Sequence, residues 1–289
     1  MTHVVAPAST ANLGPAFDSA AAALELWNEL VVDESPSAFS VEIEGEGAAE
    51  LPRDASHLSL RAFALFTPVA GYHFTFVNRI PLERGLGSSA AAIALGVVAG
   101  NAVTGNHATP AELLTHAVEL EGHADNVAAA LFGGVCISWR ANGEVRAARI
   151  AAELPLASIV AVPASRTNTA ASRNGLPATV TLEDAAANAA HAALLGAAIA
   201  AGDASLLSDA LHDRLHERYR AAASPLLHEL QLRPPDGALG VTLSGSGPSV
   251  VVWAAHDRAA TVATSLQSSL PDDTRVLQLR VAQEGARLV

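Results

Sequence analysis

The stretch "RIPLERGLGSSAAA", residues 79–92, sets Gly85-Leu86-Gly87-Ser88-Ser89-Ala90 between a polar, proline-bearing lead and a run of alanines. Two chemistries suit such a loop. As G-x-G-x-x-A it satisfies the dinucleotide fingerprint, which requires a buried strand before the first glycine and an acid about 20 residues further on. "NRIPLERG" is no buried strand, and the acid near that distance, Glu112, follows a Thr-Pro helix start. The dinucleotide context therefore fails. As an anion loop the stretch fits better. Gly85 and Gly87 let backbone approach a ligand closely, and a helix starting near Ser88 offers unpaired N–H groups and a positive dipole end. A serine hydroxyl there can ligate Mg²⁺. The plainer alternative is a Gly-Ser turn that only starts an alanine-rich helix.

Two further loops argue against the plain turn. "PASTANLGPAFDS" (7–19) and "GVTLSGSGPSVVVW" (240–253) are also rich in Gly, Ser and Pro between apolar segments. Composition narrows what three such loops can bind. All 17 basic residues are Arg and none is Lys, which removes Schiff-base chemistry and the phosphate-loop lysine. An anion must be met by Arg, by backbone N–H groups, by a helix N-terminus or by a metal. A net charge of −12 without any basic run excludes nucleic acid as an expected partner. The single Cys136 cannot form an intrachain disulfide and is expected as a buried small apolar residue. The first residues lack the pattern of a signal peptide, and "AAANAAHAALLGAAIAAG" (185–202) is broken by Asn188 and His191. A packed helix, no membrane span and a cytoplasmic location are the expectations.

The elements that must position these residues follow from period and punctuation. Strands are expected at "HVVAPA", "LELWNELVV", "FSVEIEGEG" and "HFTFVNRI", with a helix over "SHLSLRAFALFTPVAG". "SSAAAIALGVVAGNAVTG" predicts a long small-residue helix, and "TPAELLTHAVELEG" a helix capped by Thr109 with Pro110 at its first position. "GGVCISW" and "LASIVAVPAS" predict apolar strands, and "EVRAARIAAELP" between them a seam. Helices over 182–201, 203–221 and near 224–232 follow, then a strand entering the third loop and a closing helix and strand. This mixture without strict βαβ alternation predicts an α+β fold, with halves at 1–150 and 151–289.

"APASTANLGPAFDSA", "PLERGLGSSAAA" and "TLSGSGPS" together resemble the three motifs of the GHMP small-molecule kinases, in the family's order. "ASTANLGPAFDS" and "EGHADNVAAALFGG" (121–134) resemble the homoserine kinase branch. The resemblance implies a GHMP kinase fold: an N-terminal half like ribosomal protein S5 domain 2, packed on a C-terminal α+β, ferredoxin-like half. It implies transfer of phosphate from ATP, with Mg²⁺, to the hydroxyl of L-homoserine for threonine synthesis. Ala16, Ala20, Ala21, Ala124 and Arg218 depart from the family pattern, but no polar side chain needed for the chemistry is lost.

The resemblance also implies roles. Pro81, Leu82, Glu83, Arg84, Gly85, Leu86, Gly87, Ser88, Ser89, Ala90 and Ala91 would form the ATP loop, and Ser89 and Glu121 would hold the metal. Glu119 competes with Glu121; the latter is favoured because it opens the Glu-Gly-His string. Asn12 and Asp18 suit the ammonium of the acceptor, His123, Asp125 and Asn126 its hydroxyl side, and Arg173 and Arg220 its carboxylate. Thr169 and Gly245 complete the acceptor set. Asp125 can accept the hydroxyl proton, unless the phosphate itself takes it. In "HDRLH" the i, i+4 histidines mimic half a zinc site, but satisfied or surface histidines are expected because no third ligand is evident. Other alcohol acceptors, or a non-catalytic binder on the same scaffold, stay open. A homodimer is a candidate assembly that the residues leave undecided.

Overall fold

The structure, a computed structural model, describes residues 1–35, 38–167 and 169–289, without the side chains of 169–171. The chain begins with β1 (Thr2–Ala11), β2 (Ala20–Glu34) and β3 (Ser40–Gly45), then α1 (Leu58–Phe63) and β4 (Tyr72–Asn78). The glycine loop leads into α2 (Ser88–Val103), α3 (Pro110–Glu121) and α4 (Asp125–Phe132), followed by the hairpin β5 (Val135–Ala141) and β6 (Glu144–Ala151). β7 (Ala157–Val162), α5 (Thr169–Asn174), α6 (Leu182–Ala201), α7 (Ala204–Ala210), α8 (Glu217–Arg220) and α9 (Pro225–Leu232) come next. β8 (Ala238–Leu243), β9 (Val250–Ala254), α10 (Ala259–Ser269), β10 (Arg275–Leu279) and β11 (Arg287–Leu288) complete it.

The strands form two sheets. One runs β11-β1-β2-β4-β3, with β5 on β2 and β6 on β5; the other runs β10-β7-β9-β8. Pairing is antiparallel except between β3 and β4. β11 returns to β1, so the end of the chain closes the sheet that its start opened. Alternation along β4 buries Phe74 and Phe76 beneath α1, and α2 lies over β1 with Ala90, Ala91, Ala94 and Ala99 fully buried. Methyl-sized side chains let that helix sit close to the sheet, which brings its N-terminus down to the loop after β1. α3 carries the expected cap: Glu112 N donates to the Thr109 hydroxyl, and the Glu112 carboxylate accepts from Thr109 N at 2.7 Å. Glu112 is thus a capping residue and no ribose ligand. No helix among the described residues is long and apolar enough to cross a membrane.

Three expectations are corrected. β1 and β2 extend further than their apolar cores, through Ser9-Thr10-Ala11 and from Ala20, because those small residues pair across the sheet in register. The seam placed at 144–155 is largely β6, which pairs with β5 through the alternation of "EVRAARIA". The helix over 203–221 is broken into α7 and α8. The Asp213 carboxylate takes the N–H groups of Leu215, His216 and Glu217, and Asn188 takes that of Arg214. These side-chain bonds replace helical ones.

Asn28, buried on β2, aims the glycine loop: its Oδ1 accepts from Arg79 N at 2.7 Å and Ile80 N at 2.9 Å, just where the chain leaves β4. Asn28→Leu should leave both donors without a partner and cost about 1–3 kcal/mol or more. Asn28→Asp, which keeps the acceptor, should cost less in urea unfolding; equal losses would place the effect in packing.

Candidate active site

The first and third loops meet the glycine loop at the sheet ends. Gly85, at φ 74°, lies so close to the third loop that a Cβ would fall 2.1 Å from Ser244 O. The Ser244 hydroxyl lies 2.7 Å from Gly85 O and 2.9 Å from Thr10 Oγ1, which ties all three loops. Gly87, at φ 66°, caps α2, and a Cβ there would fall 2.0 Å from Ser9 Oγ. Both glycines are therefore required by neighbouring protein before any ligand arrives. No side chain caps α2, so the N–H groups of its first turn are open for an anion, as the sequence predicts.

Side chains of the loop divide in two. Glu83, Ser88 and Ser89 line a cavity of about 330 Å³, whereas Pro81, Leu86, Ala90 and Ala91 are buried in packing and offer backbone only. The Arg84 guanidinium donates to the carbonyls of Leu82, Pro163 and Ala164, at 2.7, 2.8 and 2.5 Å. It clamps the loop to the end of β7, with three of its five N–H donors engaged there. Leu82 faces a second cavity of about 310 Å³, which shares Glu83, Ser88 and Ser89 with the first.

The acceptor residues come from five separate segments and line the first cavity together: Asn12, Asp18, His123, Asp125, Asn126, Arg173, Arg220 and Gly245. The Thr169 side chain lies outside the described residues. Asn12 differs from expectation. Its amide donates to Gly245 O at 3.0 Å and its Oδ1 accepts from Asp18 N, so both ends are engaged in holding loops. Asp18 and Arg173 form a two-bond ion pair at 2.7 and 2.8 Å, so the groups assigned to opposite ends of the acceptor face one another directly. Phe17 lies beneath both arginines, with guanidinium carbons 5.5 Å (Arg173) and 5.3 Å (Arg220) from its ring centre. Among the described residues, Nε of Arg173 and of Arg220 are buried without a hydrogen-bond partner.

Carboxylates face these cations across the cavity. Asp125 opens α4 and is buried; burial, with the nearby charges of Asp18 and Glu121, pushes its pKa from 3.8 to about 6. Asn126 N donates to it at 2.7 Å, and the Ser9 hydroxyl donates to Asn126 Oδ1 at 2.8 Å. Glu121, the last residue of α3, accepts from the Ser89 hydroxyl at 2.6 Å, and burial raises its pKa. Glu119 points outward, exposed, toward His116 at 3.9 Å. Geometry thus separates the two glutamates that the sequence left in competition. The histidines of "HDRLH" do not converge: His216 is buried against Gly14 O, while His212 lies beside His191.

Several cavity residues have no signature in the sequence. Thr167 lines the first cavity, and Glu50, His57, Ser59 and Arg166 the second. His57 is held neutral by burial, its pKa lowered to about 4, and accepts from Ser59 N. Arg166 grips Glu50 in two bonds of 2.7 Å. They come from two stretches, 50–59 and 166–167, that carry no motif and lie about a hundred residues apart, and only folding gathers them.

An uncapped helix N-terminus beside a polar cleft makes a site for an anionic small molecule, and comparison with known proteins gives its class, the GHMP small-molecule kinases. Residues 51–134 match the family model of the GHMP kinases N terminal domain, and residues 195–272 that of the GHMP kinases C terminal. The chain is 43% identical to a homoserine kinase of Moorella thermoacetica, over 88% of this chain and 87% of that one. It is 41% identical to a homoserine kinase of Streptomyces coelicolor, over 99% and 94%. The crystal structure of homoserine kinase from Cytophaga hutchinsonii superposes with a TM-score of 0.88, at 27% identity, over 100% of this chain and 97% of that one. The chain belongs to the homoserine kinase family of the GHMP kinases, and its co-substrate is ATP.

Two outcomes test the loop and the carboxylate. Gly87→Val should abolish ATP binding, since the side chain meets Ser9 and the left-handed backbone is strained; calorimetry showing normal ATP affinity would leave the loop a mere turn. Glu121→Gln should keep the fold and lower kcat by about 10²–10⁴-fold, the scale of several kcal/mol of lost charge stabilisation. Glu119→Gln should be near normal, and the opposite ranking would move the role to Glu119.

Proposed function

We propose that this chain transfers the γ-phosphoryl group of ATP to the hydroxyl of L-homoserine, giving O-phospho-L-homoserine for threonine synthesis. One observation carries the acceptor class: a mutually neutralising Asp18–Arg173 pair, with two partnerless buried guanidinium Nε groups, in the cavity that the α2 N-terminus faces. A zwitterion satisfies such a set, its ammonium toward Asp18 and its carboxylate toward Arg173 and Arg220. A neutral sugar would leave the buried donors unmet, a cost of about 1–3 kcal/mol each.

The polyphosphate of ATP lies on the open N–H groups of the first turn of α2, and its base in the second cavity, which is more apolar. Without lysine, charge on the moving group is met by these dipoles and by a cation. Ser89 and Glu121 suit Mg²⁺: two hard oxygens at the α2 N-terminus, one a carboxylate whose pKa is raised by desolvation. Among the described residues no three His, Cys, Asp or Glu gather into a metal cage, which fits an ion that takes its other ligands from phosphate and water. When bound, the ion supplies neutralisation of phosphate charge. The hydroxyl oxygen attacks phosphorus, the bond to ADP breaks, and Asp125 accepts the hydroxyl hydrogen. Positioning supplies most of the remaining rate.

The same reading places the ATP half at 1–150 and the second half at 151–289, supported by the change of sheet between β6 and β7, although β11 crosses it. It keeps the protein in the cytoplasm, as a candidate homodimer, in line with one buried reduced cysteine and an acidic chain.

An ADP-release assay over homoserine, threonine, serine, mevalonate and galactose tests the proposal: homoserine should lead clearly, and equal or absent signals would remove it. Asp125 gives a pH test. The carboxylate must be ionised to accept, so kcat/KM should fall as pH drops through about 6. Asp125→Asn should lower kcat by about 10²–10⁴-fold and abolish that limb. Stability moves oppositely. With its pKa raised on folding, Asp125 favours the native state below about 4 and burdens it above about 6. The asparagine variant should therefore melt higher than the parent at pH 7.5, and a lower melting point would contradict the buried-charge argument.

A further inference from the structure

Arg220 is buried to 4% exposure, and the structure shows what holds it. Its NH1 contacts Gly245 O at 3.1 Å and His216 Nδ1 at 3.1 Å. The His216 ring is wholly buried, stacked on Phe17 at 5.0 Å, and its Nε2 lies 2.9 Å from Gly14 O. A carbonyl only accepts, so Nε2 carries hydrogen; a guanidinium only donates, so Nδ1 presents a lone pair. One protonation form meets both demands, the neutral Nε2–H tautomer. A second ring proton would set N–H against N–H. Asp213 fixes the ring's backbone by accepting from His216 N at 2.8 Å, and its other oxygen stands 3.6 Å from Nε2.

With NH1 engaged, the Nε–NH2 edge of Arg220 remains, and its Nε has no partner among the described residues. That edge matches a carboxylate in two bonds. We infer that His216 is a positioning residue for recognition of the acceptor's carboxylate: as a neutral acceptor it holds NH1 back against Gly245 and leaves the other edge of Arg220 for the substrate. This rests on the reading of Arg220 as part of the carboxylate pocket. His216 touches no substrate itself, and its effect is confined to acceptors that carry the carboxylate.

Two variants each retain one end of the ring. His216→Asn places an acceptor where Nδ1 was, while His216→Gln places its amide where Nε2 was and leaves nothing facing Arg220. His216→Gln should raise KM for homoserine about tenfold or more, the scale of one charge-assisted bond, with KM for ATP unchanged. His216→Asn should restore homoserine KM to near the parent value. Aminopropanol, which is homoserine without its carboxylate, should be used equally by parent and both variants. Arg220→Met should lose homoserine selectively, and adding His216→Gln to it should cost nothing more. If Arg220→Met spares homoserine, the carboxylate pocket and this inference fall together. If Arg220→Met is impaired while His216→Gln behaves as the parent, only the inference falls. Equal losses for both acceptors in both His216 variants would reduce the residue to packing and overturn it too. In the unsubstituted protein, nitrogen-15 NMR should find hydrogen on Nε2 of His216 and none on Nδ1; the reverse tautomer overturns the inference even if the variants fail to fold.

Discussion

Two carbonyl oxygens hold the site together. Gly85 O accepts from Ser244, and Gly245 O is within bonding distance of Asn12 and of Arg220. The Ser244–Gly85 and Asn12–Gly245 bonds join segments more than a hundred residues apart, and at Gly85 a side chain would stop the approach. Buried carbonyls demand partners, so the loops cannot separate without leaving several groups unmet. This stitching lets a cavity open between two sheets keep its shape. It also explains why Asn12, which sequence alone suggested for ligand, spends its amide on structure.

Within that frame the charges are placed at a cost to stability. Asp125 and Glu121 are raised in pKa by burial, and Arg220 is lowered by it. A core optimised for stability would exclude them. The Asp18–Arg173 pair offsets part of the cost by satisfying each partner. Preorganised, partly unsatisfied charge is what phosphoryl transfer needs, because positioning and electrostatics make up most of the catalysis. The lysine-free composition sharpens this, since helix N–H groups must do what an ammonium does in other phosphate loops.

The sequence alone determined the motifs and most of the fold. Glycine and serine spacing marked the α2 loop, because only small residues and a helix start make an anion cradle. The cap at Thr109, the long small-residue helix and the apolar β7 followed from local rules that act within a few residues. The tertiary structure decided the rest. It set Glu121 against the Ser89 hydroxyl and left Glu119, two residues away on the same helix end, exposed, because exposure depends on what packs beside α3. It turned Arg84 onto the carbonyls of Leu82, Pro163 and Ala164, and it broke the helix at Asp213 by side-chain bonds that propensity does not register. It gathered Glu50, His57 and Arg166 at the second cavity from segments without a shared spacing. Local sequence fixes what a residue can do; which atoms face it across a hundred residues of chain is set only by packing.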